Sequence, residues 1–308
     1  MNFAHVAIIG LGLQGGSIGL AVQEFLPGTR VSGYDLDPAH RARAAERGLA
    51  HVVHDSAEDA VREADLVIFC VPPGVMGDAA RAVRPALRPD ALISDVGSCK
   101  GSIARALGEA LPDHFVIPAH PVAGTEHSGP DAGFAHLFRN RWCIITPPEQ
   151  TDLLKLSALV EFWEALGANV EHMNAEHHDL VLAVTSHLPH LIAYTIVGTA
   201  SDLENVTQSE VIKYSAGGFR DFTRIAASDP TMWRDVFLNN KDAVLEMLGR
   251  FTEDLTALQR SIRMGDGEAL FGHFARTRAI RRSIIEEGQD DSRPDFGRGD
   301  HEGIVPAA

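Results

Sequence analysis

Two short loops and a pair of arginines hold most of the residues able to do chemistry. Asp95-Val96-Gly97-Ser98-Cys99-Lys100-Gly101 follows one strand-like run, and Ala119-His120-Pro121-Val122-Ala123-Gly124-Thr125-Glu126 follows the next. In an open α/β sheet, such loops lie beyond the carboxyl ends of strands, where ligands bind. A histidine there titrates in the range needed for proton transfer near neutral pH. His120 therefore has two readings, a general base or an ordinary loop histidine before proline. Ser98 by itself reads as the N-cap of a helix beginning near Gly101, a common use of serine. Arg220 and Arg224 stand four apart on one helical face. They form either a solvated basic patch or the forked receptor of a carboxylate. His187 and His190 have helical spacing, but no H-E-x-x-H pattern accompanies them and Pro189 interrupts the helix, so no metal site is expected.

A third segment points to a dinucleotide. Gly10, Gly12 and Gly15 follow the apolar run His5–Ile9 with G-x-G-x-x-G spacing. Such glycines permit a tight turn, close approach to a pyrophosphate and close helix–strand packing. The next helix then offers free N–H groups to phosphates. A second run, Val31–Tyr34, ends in Asp35, which lies 20 residues after Gly15. That is where such a unit places its ribose-binding acid. Gly10, Gly12, Leu13, Gln14, Gly15, Asp35 and Val71 form the expected cofactor-binding set. The cofactor expected is NAD rather than NADP. Asp35 and Asp37 would repel a 2′-phosphate, and the first cation after them is Arg41.

The elements that must position these residues alternate in the first half. Strand-like runs are His5–Ile9, Val31–Tyr34, Leu66–Cys70, Leu92–Asp95, Phe115–Pro118 and Trp142–Thr146, with Asn169–His172 as a last edge strand. Helical stretches such as Pro38–Arg47 and Ser102–Leu111 lie between them. This predicts an α/β Rossmann domain with a doubly wound, mainly parallel sheet over residues 1–174. Strand signals then fade. Ala175–Ser201 reads as helix interrupted at Pro189, followed by Thr231–Arg250, Thr252–Met264 and Glu268–Ile285. An all-α domain over 175–288 is expected, with 289–308 a disordered tail.

Lys and Arg number 27 against 42 Asp and Glu, a net charge of −15. Nucleic acid and anionic membranes are poor partners for such a chain. Three cysteines without a spacing pattern suggest reduced thiols and a cytoplasmic location. No signal peptide is expected, because the apolar start is itself a strand. No unbroken apolar run approaches the length of a membrane span.

Taken together, the segments resemble the prephenate/arogenate dehydrogenase family of tyrosine biosynthesis. The matching motifs are residues 10–17, 95–101 and 120–126, then Thr-Ser-His-Leu-Pro-His at 185–190. They continue with Gly-Gly-Phe-Arg-Asp-Phe-Thr-Arg-Ile-Ala at 217–226 and Ser-Asp-Pro-Thr-Met-Trp-Arg-Asp at 228–235. The resemblance implies NAD-dependent oxidative decarboxylation of prephenate, arogenate or both, by a homodimer. It implies that His120 accepts the proton of the C4 hydroxyl and that Ser98 hydrogen-bonds that hydroxyl and the histidine. It places Ser186, His190 and Thr125 along the substrate pocket and Arg224 on a substrate carboxylate. Glu126 and Asp221 would form an ionic network controlling access. Two other readings stand beside it. One is a dehydrogenase of the β-hydroxyacid or imine-reducing kind, whose catalytic lysine would have to be Lys213 or Lys241. The other is a dinucleotide sensor without catalysis.

Overall fold

The computed structural model describes residues 3–125, 127–207 and 217–286, excepting side chains at 203–207 and 284–286. The chain forms two compact units, 1–247 and 248–308. Within the first, six parallel strands make one sheet: β1 (His5–Ile9), β2 (Arg30–Tyr34), β3 (Val52–Val53), β4 (Leu66–Phe69), β5 (Leu92–Asp95) and β6 (Phe115–Val116), in the order β3-β2-β1-β4-β5-β6. Successive residues of a strand face opposite sides, and both sides here are apolar. Val6 and Ile8 join Leu66, Ile68 and Leu92 beneath Ile18, Val22, Phe162 and Trp163. Ala7 and Ile9 join Val67, Phe69 and Ile93 beneath Met76, Ala80, Ile103 and Leu107. A parallel sheet covered on both faces follows from that pattern. The order reverses between β1 and β4, and open α/β sheets bind ligands beyond the carboxyl ends of strands at such a switch.

Helices α1 (Leu13–Phe25), α2 (Pro38–Glu46), α3 (Ala57–Val61), α4 (Met76–Val83), α5 (Lys100–Ala110) and α6 (Leu153–Ala165) connect or flank these strands. The expected single sheet needs one correction. A second sheet, order β7-β8-β9, is built from β7 (Ala119–Pro121), β8 (Trp142–Ile145) and β9 (Asn169–His172). β7 runs antiparallel to β8, with His120 opposite Ile144, while β8 and β9 are parallel. Proline lacks the N–H a ladder needs. Accordingly β6 stops two residues before Pro118, whose carbonyl accepts from Thr146 N–H at 2.9 Å. The chain thus turns out of the first sheet just before His120.

A buried ion pair joins the two sheets. Lys100 Nζ donates to Asp95 Oδ2 at 2.5 Å and to the Ala119 carbonyl at 2.6 Å. Both side chains are wholly buried. Asp95 also accepts from Gly97 N–H at 2.7 Å and Ala119 N–H at 3.3 Å. One carboxylate and one ammonium therefore fix the residue preceding His120 through both its N–H and its carbonyl.

After β9 come α7 (Ala175–Leu182), a π-helical turn over Ala183–His187 and α8 (Leu188–Thr207). Pro189 does not interrupt the helix, contrary to expectation. The wide turn just before it absorbs the missing donor, as π-bulges do. Within the helical stretch Ala175–Asp202, an 18-residue window of mean hydropathy 1.6 meets the length and composition of a membrane span. Counting unbroken apolar runs misses this because polar residues such as His178, Asp179, His187 and His190 interrupt it. Next are α9 (Gly217–Thr223), a 3₁₀ turn over Arg224–Ala227 and α10 (Pro230–Asn239). The following helix, α11 (Lys241–Met264), begins after buried Asn240, so the break lies there and not near residue 251. Thr252 stays inside α11, its hydroxyl donating to the Leu248 carbonyl at 2.8 Å. The second unit holds the end of α11 and α12 (Gly267–Glu286), joined through Gly265 at φ +67°. Leu255, Ile262, Met264, Phe271, Phe274 and Ile280 are exposed there. Residues 289–308, expected to be disordered, lie outside the described residues.

The ion pair between the sheets gives a direct stability test. Lys100→Met leaves Asp95 as a buried carboxylate without its counter-charge, a change that costs about 3–5 kcal/mol. Urea unfolding should show that loss, and Asp95→Asn added to Lys100→Met should recover part of it. A loss below about 1 kcal/mol would mean that the pair does not hold the sheets together.

Candidate active site

The crevice at β1 and β4 has the form its glycines predict. Gly10 has φ +101°, and a Cβ there would lie 2.4 Å from the Cys70 carbonyl oxygen. A Cβ on Gly15 would lie 1.9 Å from the Gly10 carbonyl oxygen, so only glycine lets α1 pack this closely. At Gly12 a Cβ would meet nothing within 4 Å. The open space is where a pyrophosphate would approach, at the unpaired N–H groups that open α1. Leu13 packs on the core beneath, and Val71 packs on the opposite face of the sheet. Gln14 turns elsewhere: its Nε2 donates to the Ala123 carbonyl, tying the glycine loop to the segment after β7.

Asp35 sits at the end of β2. Its Oδ2 accepts from Leu11 N–H at 2.9 Å and its Oδ1 from Asp37 N–H at 3.0 Å. The carboxylate is thus held against the glycine loop, with lone pairs left for ribose hydroxyls. Arg41 folds back beneath it. Its Nη1 donates to the carbonyls of Asp35 at 2.9 Å and Leu36 at 3.2 Å. Its guanidinium also lies 5.5 Å from the centre of the Tyr34 ring. A 2′-phosphate would have to take Arg41 from these contacts.

Beyond β5 and β7 lies a group of buried histidines. His120 is 6% exposed, and its Nδ1 lies 2.8 Å from His178 Nε2. His178 Nδ1 lies 2.9 Å from Asp179 Oδ1. Asp179 in turn accepts from Lys100 N–H at 2.7 Å and Gly101 N–H at 2.9 Å. It is therefore Asp179 that caps α5. Ser98 does not, because α5 starts at Lys100 after Cys99 and has no side-chain cap of its own. Ser98 is half-buried in the loop. His187 is fully buried, with Asn240 Nδ2 3.2 Å from its Nδ1. His190 Nδ1 donates to the Ser186 carbonyl at 2.8 Å. Its ring stacks on Trp233, centroids 3.6 Å apart and planes 23° apart.

Burial is the main force on all four rings. It pushes His120 well below the usual imidazole range, and charge on His178, Lys100 and His187 adds to the effect. Burial lowers His178 too, although Asp179 pulls the other way. His187 is lowered to about 4, chiefly by burial. Burial lowers His190, helped by the Arg224 charge. Burial alone would raise Asp179, but hydrogen bonds from His178 and from Lys100 and Gly101 N–H outweigh it, and the net shift is downward. The cluster is therefore neutral imidazoles around one ionised carboxylate.

Of the remaining expected residues, Arg224 opens the 3₁₀ turn and is exposed, near enough to act on His190. Asp221 is exposed on α9. Thr125 Oγ1 accepts from His127 N–H at 3.2 Å. Glu126 lies outside the described residues. Of the two lysines that a β-hydroxyacid dehydrogenase would use, Lys241 is exposed at the start of α11 and Lys213 lies outside the described residues. Among the described residues no group of three or more His, Cys, Asp or Glu side chains forms a metal site. Sequence reasoning did not find His178, Asp179, Asn240 or Trp233 as parts of this site. The available signal was Glu176-His177-His178-Asp179, four polar residues at the head of an apolar helix.

The neutral cluster links stability to pH. Where the folded pKa is depressed, the unfolded chain takes up protons that the folded chain refuses. For His187 the window runs from 6.5 down to about 4, and the other three rings act in the same direction. The thermal midpoint should therefore fall as pH drops through this window, and His187→Asn should flatten the slope. A midpoint constant over that range would show that the rings accept protons in the folded state.

The chain matches known proteins along most of its length. Residues 18–172 match the family model for the nucleotide-binding domain of prephenate dehydrogenase, and 174–276 match that for its dimerization domain. The cyclohexadienyl dehydrogenase of Zymomonas mobilis is 45% identical over 292 residues, covering 95% of this chain and 99% of that protein. The prephenate dehydrogenase of Bacillus subtilis is 34% identical over 281 residues, covering 91% of this chain and 76% of that protein. Among solved structures, prephenate dehydrogenase from A. aeolicus, in complex with hydroxyphenyl propionate and NAD+, superposes with a TM-score of 0.86 at 33% identity. That match covers 92% of this chain and 99% of that one. With two family models spanning most of its length, this chain belongs to the prephenate dehydrogenase family.

Proposed function

We propose that this protein oxidises and decarboxylates prephenate, arogenate or both, using NAD+, with His120 as the base. The observation that carries the reading is a buried, neutral imidazole in the middle of β7, held through its ring and through the residue before it, in a unit whose glycine loop and Asp35 suit NAD. A relative with a TM-score of 0.86 binds NAD+ and a hydroxyphenyl acid.

The residues divide the work. His120 takes the proton of the C4 hydroxyl, and Ser98 hydrogen-bonds that oxygen. Bound NAD+ supplies the hydride acceptor. As the hydride leaves C4, the C1 carboxylate departs as CO₂ and the ring becomes aromatic. Arg224 holds a substrate carboxylate, while Ser186, His190 and Thr125 line the pocket and Glu126 and Asp221 control access. Trp233 fixes the His190 ring by stacking. The base is kept neutral by burial, as proton abstraction requires. Gly10, Gly12, Leu13, Gln14, Gly15, Asp35 and Val71 form the cofactor site, Gln14 by tying the loop to Ala123 rather than by reaching the cofactor.

The wider assignments belong to the same reading. Residues 1–174 bind the cofactor, and 175–288 complete the substrate pocket and pair with a second copy. The apolar side chains exposed on α11 and α12 support a homodimer, as does the match to a dimerization domain. The acidic charge argues against nucleic-acid and anionic-membrane partners, and three free thiols suit the cytoplasm.

The test is NADH formation from prephenate, followed at steady state. Turnover with NAD+ is expected, with NADP+ at least about tenfold poorer in kcat/KM, equivalent to roughly 1.4 kcal/mol. Asp35→Ser should narrow that gap. His120→Asn should lower kcat by roughly 10²–10⁴ and remove the fall in rate at acid pH. No NADH from prephenate or arogenate would overturn the reading, and an acid limb that survives in His120→Asn would assign the base elsewhere.

A further inference from the structure

His178 and Asp179 lie in α7, outside every motif that suggested the site, yet both touch or approach its centre. Three ionisable side chains form one line: Asp179 Oδ1, 2.9 Å to His178 Nδ1, then His178 Nε2, 2.8 Å to His120 Nδ1. The two rings meet edge to face, with centroids 5.0 Å apart and planes at 68°. His178 is wholly buried and Asp179 is nearly so. Asp179 is itself anchored by Lys100 and Gly101 N–H groups. A Cβ on Gly101 would lie 3.0 Å from Asp179 Oδ2, so the glycine makes room for the carboxylate.

The hydrogen bonds leave one arrangement of protons. An ionised carboxylate only accepts, so His178 must carry its proton on Nδ1. Neutral His178 then has its lone pair on Nε2, and His120 must donate from Nδ1. His120 is left with its lone pair on Nε2, the nitrogen outside the chain. We propose that Asp179 and His178 are positioning residues that hold His120 in the Nδ1–H tautomer and share the positive charge when its Nε2 takes the substrate proton. In that step the hydroxyl proton bonds to His120 Nε2, and the His120 Nδ1 proton stays in, or moves along, its bond to His178. The charge then spreads over two rings beside one carboxylate. This rests on the reading of His120 as the base.

The groups around the line are accounted for. His120 on β7 touches His178 from α7 and feels the charges of Lys100 from α5 and His187 from the π turn. His178 faces Asp179, and it feels Lys100 and Asp95. Lys100 is bound to Asp95 and the Ala119 carbonyl. Cys143 on β8 lies beside the backbone of His120, its thiol held well above the usual range by burial. Asp179 is thus the anion hydrogen-bonded to the line.

His178→Gln keeps an acceptor for His120 but cuts the connection to Asp179. It should lower kcat about tenfold or more while KM for prephenate and for NAD+ changes less than about twofold. The acid limb of kcat should move down by about half a pH unit or more, because neutral His178, backed by Asp179, no longer shares the charge of the His120 cation; His178 opposes protonation of His120 only when it is itself charged. A limb that stays in place would overturn the proposal, since a purely structural role gives no reason for the limb to move. The wild-type enzyme supplies a second readout that does not depend on the His178 variant. Long-range ¹⁵N–¹H spectra of the ring nitrogens, above the acid limb and without substrate, should show His120 protonated at Nδ1. His120→Asn identifies the signal. Finding the Nε2–H tautomer would overturn the proposal, whatever the activity measurements say about the base itself.

Discussion

The Asp179 carboxylate is where the site is tied together. Its oxygens take two backbone N–H groups at the start of α5 and one ring N–H from His178, and its own carbonyl accepts from Asn240 Nδ2 at 2.8 Å. Four separate pieces of chain meet there: α5, α7, the junction of α10 with α11 and, through His178, β7. A capping carboxylate is ordinarily worth about 1 kcal/mol. One that is buried and also satisfied by an imidazole is harder to remove, because its partners would lose their acceptor in a place water does not reach. Two routes lead from it to the same side chain. One passes through His178 to the ring of His120. The other passes through α5 to Lys100, whose ammonium fixes the carbonyl of Ala119. His120 is thereby located by its backbone and by its ring at once, which is the preorganisation that proton transfer in a bound complex requires.

The cofactor crevice is coupled to this arrangement by shorter links. The glycine loop is pinned on one side by Asp35, which takes the Leu11 N–H, and on the other by Gln14, which donates to Ala123 three residues beyond His120. A dinucleotide bound at the loop would therefore be linked to the segment carrying His120. The sheet supplies the rigid frame, since the parallel strands are buried on both faces and end together at the switch between β1 and β4.

Much of this was legible because local pattern and tertiary structure agree. The glycine spacing, the strand of apolar residues before it and the acid after it are short-range features, and β1, β5 and the residues around Asp35 lie where they predict. His120 and His190 stand in motifs visible in the sequence, and the structure buries His120 beside His178 and stacks His190 on Trp233. What escaped depends on contacts distant in sequence. Pro118 diverts the chain into a second sheet, which a count of alternating strands does not reveal. Ser98 looks like a cap until a carboxylate 79 residues from Lys100 occupies that place. His178 and Asp179 read as a polar helix face, and only their packing against α5 and β7 shows them buried. Asn240 ends a helix because its side chain is needed inside, bonded to Asp179 and beside His187.

The account stands on a hydride leaving the carbon whose hydroxyl His120 deprotonates. The most direct measurement is the fate of deuterium placed at C4 of prephenate, with mass analysis of the cofactor and trapping of CO₂ in the same reaction. The prediction is one deuterium in the reduced nicotinamide for every CO₂ released, with a rate lower than for unlabelled substrate if hydride transfer limits turnover. CO₂ released without labelled reduced cofactor, or label washed into water, would contradict it.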